Sequence, residues 1–234
     1  MKKLLILVLL STFSLSSFAQ DDSDLGSWYM YFGNFRFSDS PWAIHGEVQY
    51  RNHNMVGDLE QLLLRSGLQY NIKSGQASFL VGYASVTTGA HGDIDASVHE
   101  NRIYQEAILR QKLGKVGLMH RYRFEQRWVG DTDLRTRFRY ALFVNVPLNK
   151  KELSERGAFY AQAYDEIFIN GKTPDGPAAN QYFDRNRFYL GLGYRVSPGL
   201  ALQFGVMDQT GNTFSKTQLQ FSAFHQLYSK KQGQ

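Results

Sequence analysis

Apolar and polar residues alternate along most of this chain. From Trp42, the even positions hold Trp42, Ile44, Gly46, Val48 and Tyr50, and the odd ones Ala43, His45, Glu47, Gln49 and Arg51. Successive side chains of an extended strand point to opposite faces, so a period of two predicts a strand with one apolar and one polar face. The split recurs from Val116, with Val116, Leu118, Tyr122, Phe124 and Trp128 against Arg121, Arg123, Glu125 and Arg127. From Leu134 it sets Leu134, Phe138, Tyr140, Leu142, Val144 and Val146 against Arg135, Arg137, Arg139 and Asn145. A helix would scramble all three sets. Weaker alternation over 28–37, 59–72, 77–86, 101–113, 158–169, 185–196, 200–207 and 214–228 raises the expectation to about eleven strands.

Turn-rich pieces such as Lys73-Ser74-Gly75, Leu113-Gly114-Lys115 and Ser197-Pro198-Gly199 join these segments. Longer polar connections at 87–100 and 170–182 alternate with the short ones. No repeat, low-complexity tract or linker interrupts the pattern, so 21–234 reads as a single all-β domain, one antiparallel up-and-down meander. Ahead of it, Lys2 and Lys3 precede an apolar run from Leu4 to Leu10 and a small residue at Ala19, the pattern of a cleaved secretory signal over 1–20. That apolar run falls short of the roughly 20 residues of a membrane-spanning helix.

The 234 residues include no cysteine, which excludes a disulfide scaffold, a cysteine-based zinc or iron–sulfur site and a thiol nucleophile. Removing the two signal lysines leaves 24 basic and 21 acidic residues, a net +3, too mild and too evenly spread to argue for nucleic acid. An exported meander can be a soluble sandwich or a membrane barrel. The polar face of a sandwich meets water and mixes Lys, Glu, Ser and Thr. Here it is rich in arginine with some glutamate, tyrosine and glutamine, while the lysines sit mostly in turns and near the C-terminus. A barrel puts its apolar face in lipid, aromatic girdles at the two interfaces and polar side chains in the lumen. Trp42 and Tyr50, eight residues apart on one face, span about 26 Å of strand, close to the roughly 25 Å apolar band of such barrels. The expectation is therefore a transmembrane β-barrel of about 10–12 strands in the outer membrane, with Trp42, Tyr50, Tyr122, Trp128 and Tyr194 as girdle residues. Its partners would be membrane lipid and the barrel-assembly machinery. An odd count conflicts with a periplasmic C-terminus and periplasmic tight turns. A twelfth strand hidden in 87–100, or ten strands with 28–37 as an irregular entry segment, would remove the conflict.

The blocks WYMYFGNFRFSDSPWAIHGEVQYRN, ENRIYQEAILRQKLGKVGLMHRYRFEQRW, RFRYALFVNVPLN, DEIFIN and FDRNRFYLGLGYR resemble the DUF2490 family of exported bacterial β-barrel proteins. The resemblance runs from Trp28 to about Phe224 and implies an outer-membrane barrel without implying an activity. It covers the polar positions Glu47, Arg51, Glu100, Arg102, Arg110, Arg121, Arg123, Glu125, Arg127, Arg137, Arg139, Glu166, Asp184, Arg185, Arg187 and Arg195, and assigns a catalytic role to none of them.

The candidate chemistry lies inside the barrel. Arg121, Arg123, Arg127, Arg135, Arg137 and Arg139 share one parity on consecutive strands about 4.8 Å apart. Such crowding calls for Glu47, Glu106, Glu125 and Glu166 as ion-pair partners. Arg51, Arg65, Arg110, Arg185, Arg187 and Arg195 complete the expected lumen network. That network either fills and rigidifies a narrow lumen or attracts a small anionic solute along a narrow channel. The alternative reading is a barrel enzyme acting on lipid or lipopolysaccharide acyl chains, which needs a serine or other nucleophile beside an oriented histidine. His45 falls on the inward face and His120 on the outward one, beside Tyr122, without a clear partner for either. His91, His99, Asp93, Asp95 and Glu100 are too loosely spaced for a metal site. There is no P-loop, dinucleotide fingerprint or HExxH motif, so the expectation is no catalytic residue, no metal and no cofactor.

Overall fold

The computed structural model describes residues 25–38, 40–92, 94–173 and 181–229; the expected signal at 1–20 lies outside them. Eleven strands follow in order: β1 (Gly26–Arg36), β2 (Trp42–Asn52), β3 (Leu59–Asn71), β4 (Ala77–Gly89), β5 (Ser97–Leu113), β6 (Val116–Val129), β7 (Arg135–Pro147), β8 (Phe159–Asn170), β9 (Phe183–Ser197), β10 (Leu200–Gly211) and β11 (Ser215–Tyr228). Each pairs antiparallel with the next, and β1 closes the sheet by pairing in parallel with β11. The fold is an all-β closed barrel, antiparallel everywhere except this seam.

The parallel seam corrects the argument from strand parity. The described residues of 87–100 hold no twelfth strand: β4 and β5 extend into this polar stretch, to Gly89 and from Ser97. Nor is 28–37 an irregular entry segment, since all of it but Phe37 belongs to the regular strand β1 that closes the barrel. An odd strand number forces the first and last strands to run the same way. The barrel's two ends therefore differ. At the first mouth β1 begins, and β2, β4, β6, β8 and β10 end. At the second mouth β11 ends, as do β1, β3, β5, β7 and β9, and the connections 72–76, 114–115, 148–158 and 198–199 lie. Gly114 has φ +60° in the shortest type of link, where an L side chain would be strained.

The seam is held by rings. Tyr29 and Phe221 stack at 5.2 Å, Phe32 and Phe224 at 4.6 Å, and the Tyr31 hydroxyl lies 2.9 Å from His225 Nδ1. Elsewhere the period of two sorts the faces as the sequence predicts. Glu47, Gln49 and Arg51 are buried inside while Trp42, Ile44, Val48 and Tyr50 are exposed outside. Tyr104 crosses the inner face directly against Gly82, its partner on β4. A Cβ at Gly82 would stand 2.5 Å from the Tyr104 ring. Gly82→Val should therefore lower the stability of the folded barrel by about 1–3 kcal/mol through overpacking. Denaturant titration in detergent measures it, and an unchanged midpoint would mean that the Tyr104 ring moves freely.

Candidate functional site

The inner face of β6 meets that of β7 with Arg127 opposite Arg135, Glu125 opposite Arg137 and Arg123 opposite Arg139. Two of these three pairs set like charges side by side. Carboxylates reaching in from β5, β6, β8 and β9 offset them. Glu125, 1% exposed, accepts from Arg137 at 2.7 and 3.0 Å and from Arg139 at 2.7 Å. Glu166 takes Arg139 at 2.7 Å and Arg121 at 2.8 Å, with Arg187 at 3.9 Å. Glu106 holds Arg123 at 2.6 Å and stands 4.0 Å from Arg121. Glu100 receives both Arg102 and Arg127, at 2.6 and 2.5 Å, and Asp184 receives Arg137 at 2.8 Å and Arg185 at 3.3 Å. On β2 and β3, Glu47 pairs with Arg65 and stands 3.5 Å from His45.

Aromatic rings inside the barrel receive the remaining guanidinium faces. Phe168 lies under Arg139 at 4.4 Å, Arg187 at 4.6 Å and Arg137 at 5.1 Å. Trp28 carries Arg51 at 3.7 Å and Arg187 at 4.8 Å, and Tyr104 carries Arg123 at 4.8 Å. The attraction of a cation to a ring face grows when water is removed. Here the charged side chains of the lattice are mostly buried. A carboxylate shared by two or three guanidiniums, in planar contact, makes a rigid cross-brace between strands. This arrangement binds strand to strand.

Of the expected network, Glu47, Arg65, Glu106, Arg121, Arg123, Glu125, Arg127, Arg137, Arg139, Glu166, Arg185 and Arg187 meet in ion pairs. Arg110 stays exposed near the second mouth and donates to Ser78 Oγ at 3.1 Å. Arg195, near the same mouth, donates to the Leu153 carbonyl at 3.1 Å, tying down the 148–158 connection. Among the described residues Arg135 reaches the Thr132 hydroxyl alone, at 3.5 Å, and Arg51 meets amides. The girdle candidates Trp42, Tyr50, Tyr122, Trp128 and Tyr194 all point outward and are exposed. Trp42 packs on Tyr70 and Tyr194 on Phe159 near the second mouth, whereas Tyr122 sits at mid-strand against Tyr140.

Three contributors escaped the sequence reading as charge partners: Glu100, Asp184 and Arg102. Glu100 and Asp184 lie near strand ends, where alternation fades, although all three belong to the polar positions that the family resemblance covers. The rings of Trp28, Phe168 and Tyr104 escaped it too. Their parity within β1, β8 and β5 was the available signal.

The histidines scatter. His120 meets the Tyr140 hydroxyl at 2.9 Å, not Tyr122; His99 meets Thr87 at 3.1 Å, and His91 stacks edge-on against His53 at 5.0 Å. Glu100 turns into the lumen, so the 91–100 residues share no ligand sphere; Asp93 lies outside the described residues. No group of three metal-ligating side chains occurs among the described residues, and no serine–histidine hydrogen bond occurs among them.

A family model described as protein of unknown function (DUF2490) matches residues 25–220, and the chain belongs to that family. No curated protein and no solved structure matches it.

Glu125 is the hub of the lattice, so Glu125→Gln leaves Arg137 and Arg139 desolvated with less than their counter-charge. The expected loss is on the order of the 3 to 5 kcal/mol seen when a buried pair loses one partner. Removing the exposed Lys112–Glu152 pair should change stability by less than about 1 kcal/mol. Urea unfolding of both variants provides the comparison, and equal effects would show that water reaches the lattice.

Proposed function

We propose that this member of the DUF2490 family is exported with removal of residues 1–20 and spans an outer membrane as a barrel whose lumen is a structural lattice, not an open conduit. One observation carries the reading: burial is inverted with respect to a soluble protein. Ionised side chains fill the interior, with Glu125 at 1% and Arg137 at 4% exposure, while Val81 at 59% and Leu192 at 58% lie outside. An apolar exterior running round a closed sheet is stable in hydrocarbon and a liability in water. A closed barrel also satisfies every ladder hydrogen bond without presenting an edge, as the bilayer core demands.

The polar groups that do face outward support the same reading, because they satisfy one another. Gln105 donates to Gln126 at 3.3 Å, Asn186 to Asp165 at 3.2 Å, and Thr217 to Asp208 at 2.7 Å. Such pairing lowers the cost of polar atoms beside apolar ones. In the lumen, by contrast, ring and guanidinium groups from β1, β2, β8 and β9 meet across the inner space at Trp28 and Phe168. A solute would have to break these contacts to pass.

Two measurements test the proposal. Purified protein in planar bilayers should show no steady single-channel conductance, while its gel mobility should differ before and after boiling; a stable open channel would overturn the closed lumen, and recovery as a soluble periplasmic species would overturn the membrane. Leu142→Arg, on the outward face, should reduce assembled protein, since a cation at the lipid midplane costs about 2 to 4 kcal/mol. Leu142→Phe should assemble normally.

A further inference from the structure

Two buried guanidiniums of the lattice lack a counter-charge of their own. Arg51 is 5% exposed. Its Nε donates to Gln49 Oε1 at 3.0 Å, its Nη1 to Gln61 Oε1 at 2.8 Å, and its Nη2 again to Gln49. No carboxylate stands within ion-pair distance of it among the described residues. The charges around it are three more arginines, Arg187, Arg65 and Arg102, and the carboxylate of Glu60. That carboxylate is already taken, by Lys216 at 3.5 Å and by the Trp28 indole N–H at 3.3 Å. Arg187 is little better supplied. Its Nε donates to Gln209 at 2.7 Å, and its nearest carboxylate oxygen, on Glu166, is 3.9 Å away. Arg121 and Arg139 hold Glu166 more closely.

Amide oxygens and a ring face offset only part of the cost of desolvating a cation, and neighbouring like charges add to it. The local potential is therefore positive, in a low-dielectric enclosure that strengthens it. Position matters as well. Trp28 lies near the start of β1, Arg51 near the end of β2 and Gln209 near the end of β10, so this part of the lattice adjoins the first mouth.

We propose that Arg51 and Arg187, both held over the Trp28 indole and braced by the amides of Gln49, Gln61 and Gln209, form a binding site for a small inorganic anion, halide or oxyanion, entering from the first mouth. Guanidinium N–H groups supply the charge-assisted donors. The site stabilises the barrel by completing a lattice that is otherwise short of negative charge. It rests on the closed-lumen reading, because a water-filled pore would hydrate Arg51 and remove the need for a counter-ion.

The protein has three tryptophans, and the double variant Trp42→Phe/Trp128→Phe leaves Trp28 as its sole indole. Iodide, titrated at constant ionic strength into this variant in detergent, should quench Trp28 with a saturating curve. Phosphate should displace iodide if oxyanions bind, and chloride should if the site prefers halides. The unfolding temperature should rise with the displacing anion. Arg51→Gln should abolish the saturating phase, and Arg51→Lys should weaken it by about tenfold or more, equivalent to about 1.4 kcal/mol. If Arg51→Gln does not fold, the anion dependence of the parent protein alone decides. Quenching that is absent or merely linear, with melting indifferent to anions, overturns the site. Bilayer conductance separates the two ideas: a silent bilayer with no anion effect removes the site alone, whereas an open channel removes the closed lumen beneath it.

Discussion

Closure of eleven strands into one sheet buries the charged side chains of the arginine lattice inside it, and the rest of the structure answers to that fact. Most of the charged side chains that point inward find a partner on another strand's inner face. Glu125 therefore joins β6 to β7, Glu166 joins β8 to β6 and β7, and Asp184 joins β9 to β7. Such pairs contribute little on balance against a well-packed apolar core. Their effect is on uniqueness: a slip of one residue in a strand would turn its inward arginines outward and its outward leucines inward. Register and electrostatics enforce each other.

The lattice is lopsided, and the lopsidedness has chemical content. On β5, β6 and β7 the guanidiniums of Arg102, Arg121, Arg123, Arg127, Arg137 and Arg139 find carboxylates. On β2, β10 and β11 the inward positions hold Gln49, Gln209, Gln218 and Gln220 instead. Amides can accept from a guanidinium but cannot neutralise it. Where the two regions meet, Trp28 and Phe168 supply ring faces, the one remaining way to offset positive charge without a carboxylate. The arginine–amide border and the carboxylate-rich wall are thus two solutions to one problem of desolvated charge, and only the second is electrically complete.

Strand positions and facing were legible in the sequence because a period of two survives inside every strand, whatever its neighbours are. The inward placement of Glu47, Arg123 and Arg137, and the outward placement of Trp42 and Tyr50, follow from parity alone. Pairing was less legible. That Arg137 meets Asp184, a residue 47 positions away, depends on stagger between β7 and β9, which alternation does not encode. Irregular registers at Arg51/Asn52 and at Phe168/Ile169 shift the pattern where the lattice meets the strand ends. The parallel closure was legible only as a contradiction, in a strand count that did not fit two termini on one side.

That closure also distinguishes one side of the barrel from all others. Ten strand pairs are consecutive in the chain, joined by connections of 2 to 12 residues, so each can form locally, whereas β1 and β11 are separated by nearly the whole chain. Loop-closure entropy makes such a distant pair the last to form. Parallel ladders are also slightly less stable per residue than antiparallel ones. No ion pair joins β1 directly to β11 among the described residues; stacked rings do, at Tyr29–Phe221 and Phe32–Phe224. A seam formed late gains from contacts that tolerate small offsets. Ring stacking tolerates them better than a guanidinium held in planar contact with a carboxylate, which fixes both distance and plane. The geometrically exacting interactions therefore lie between strands that meet early, and the forgiving ones lie where the sheet closes.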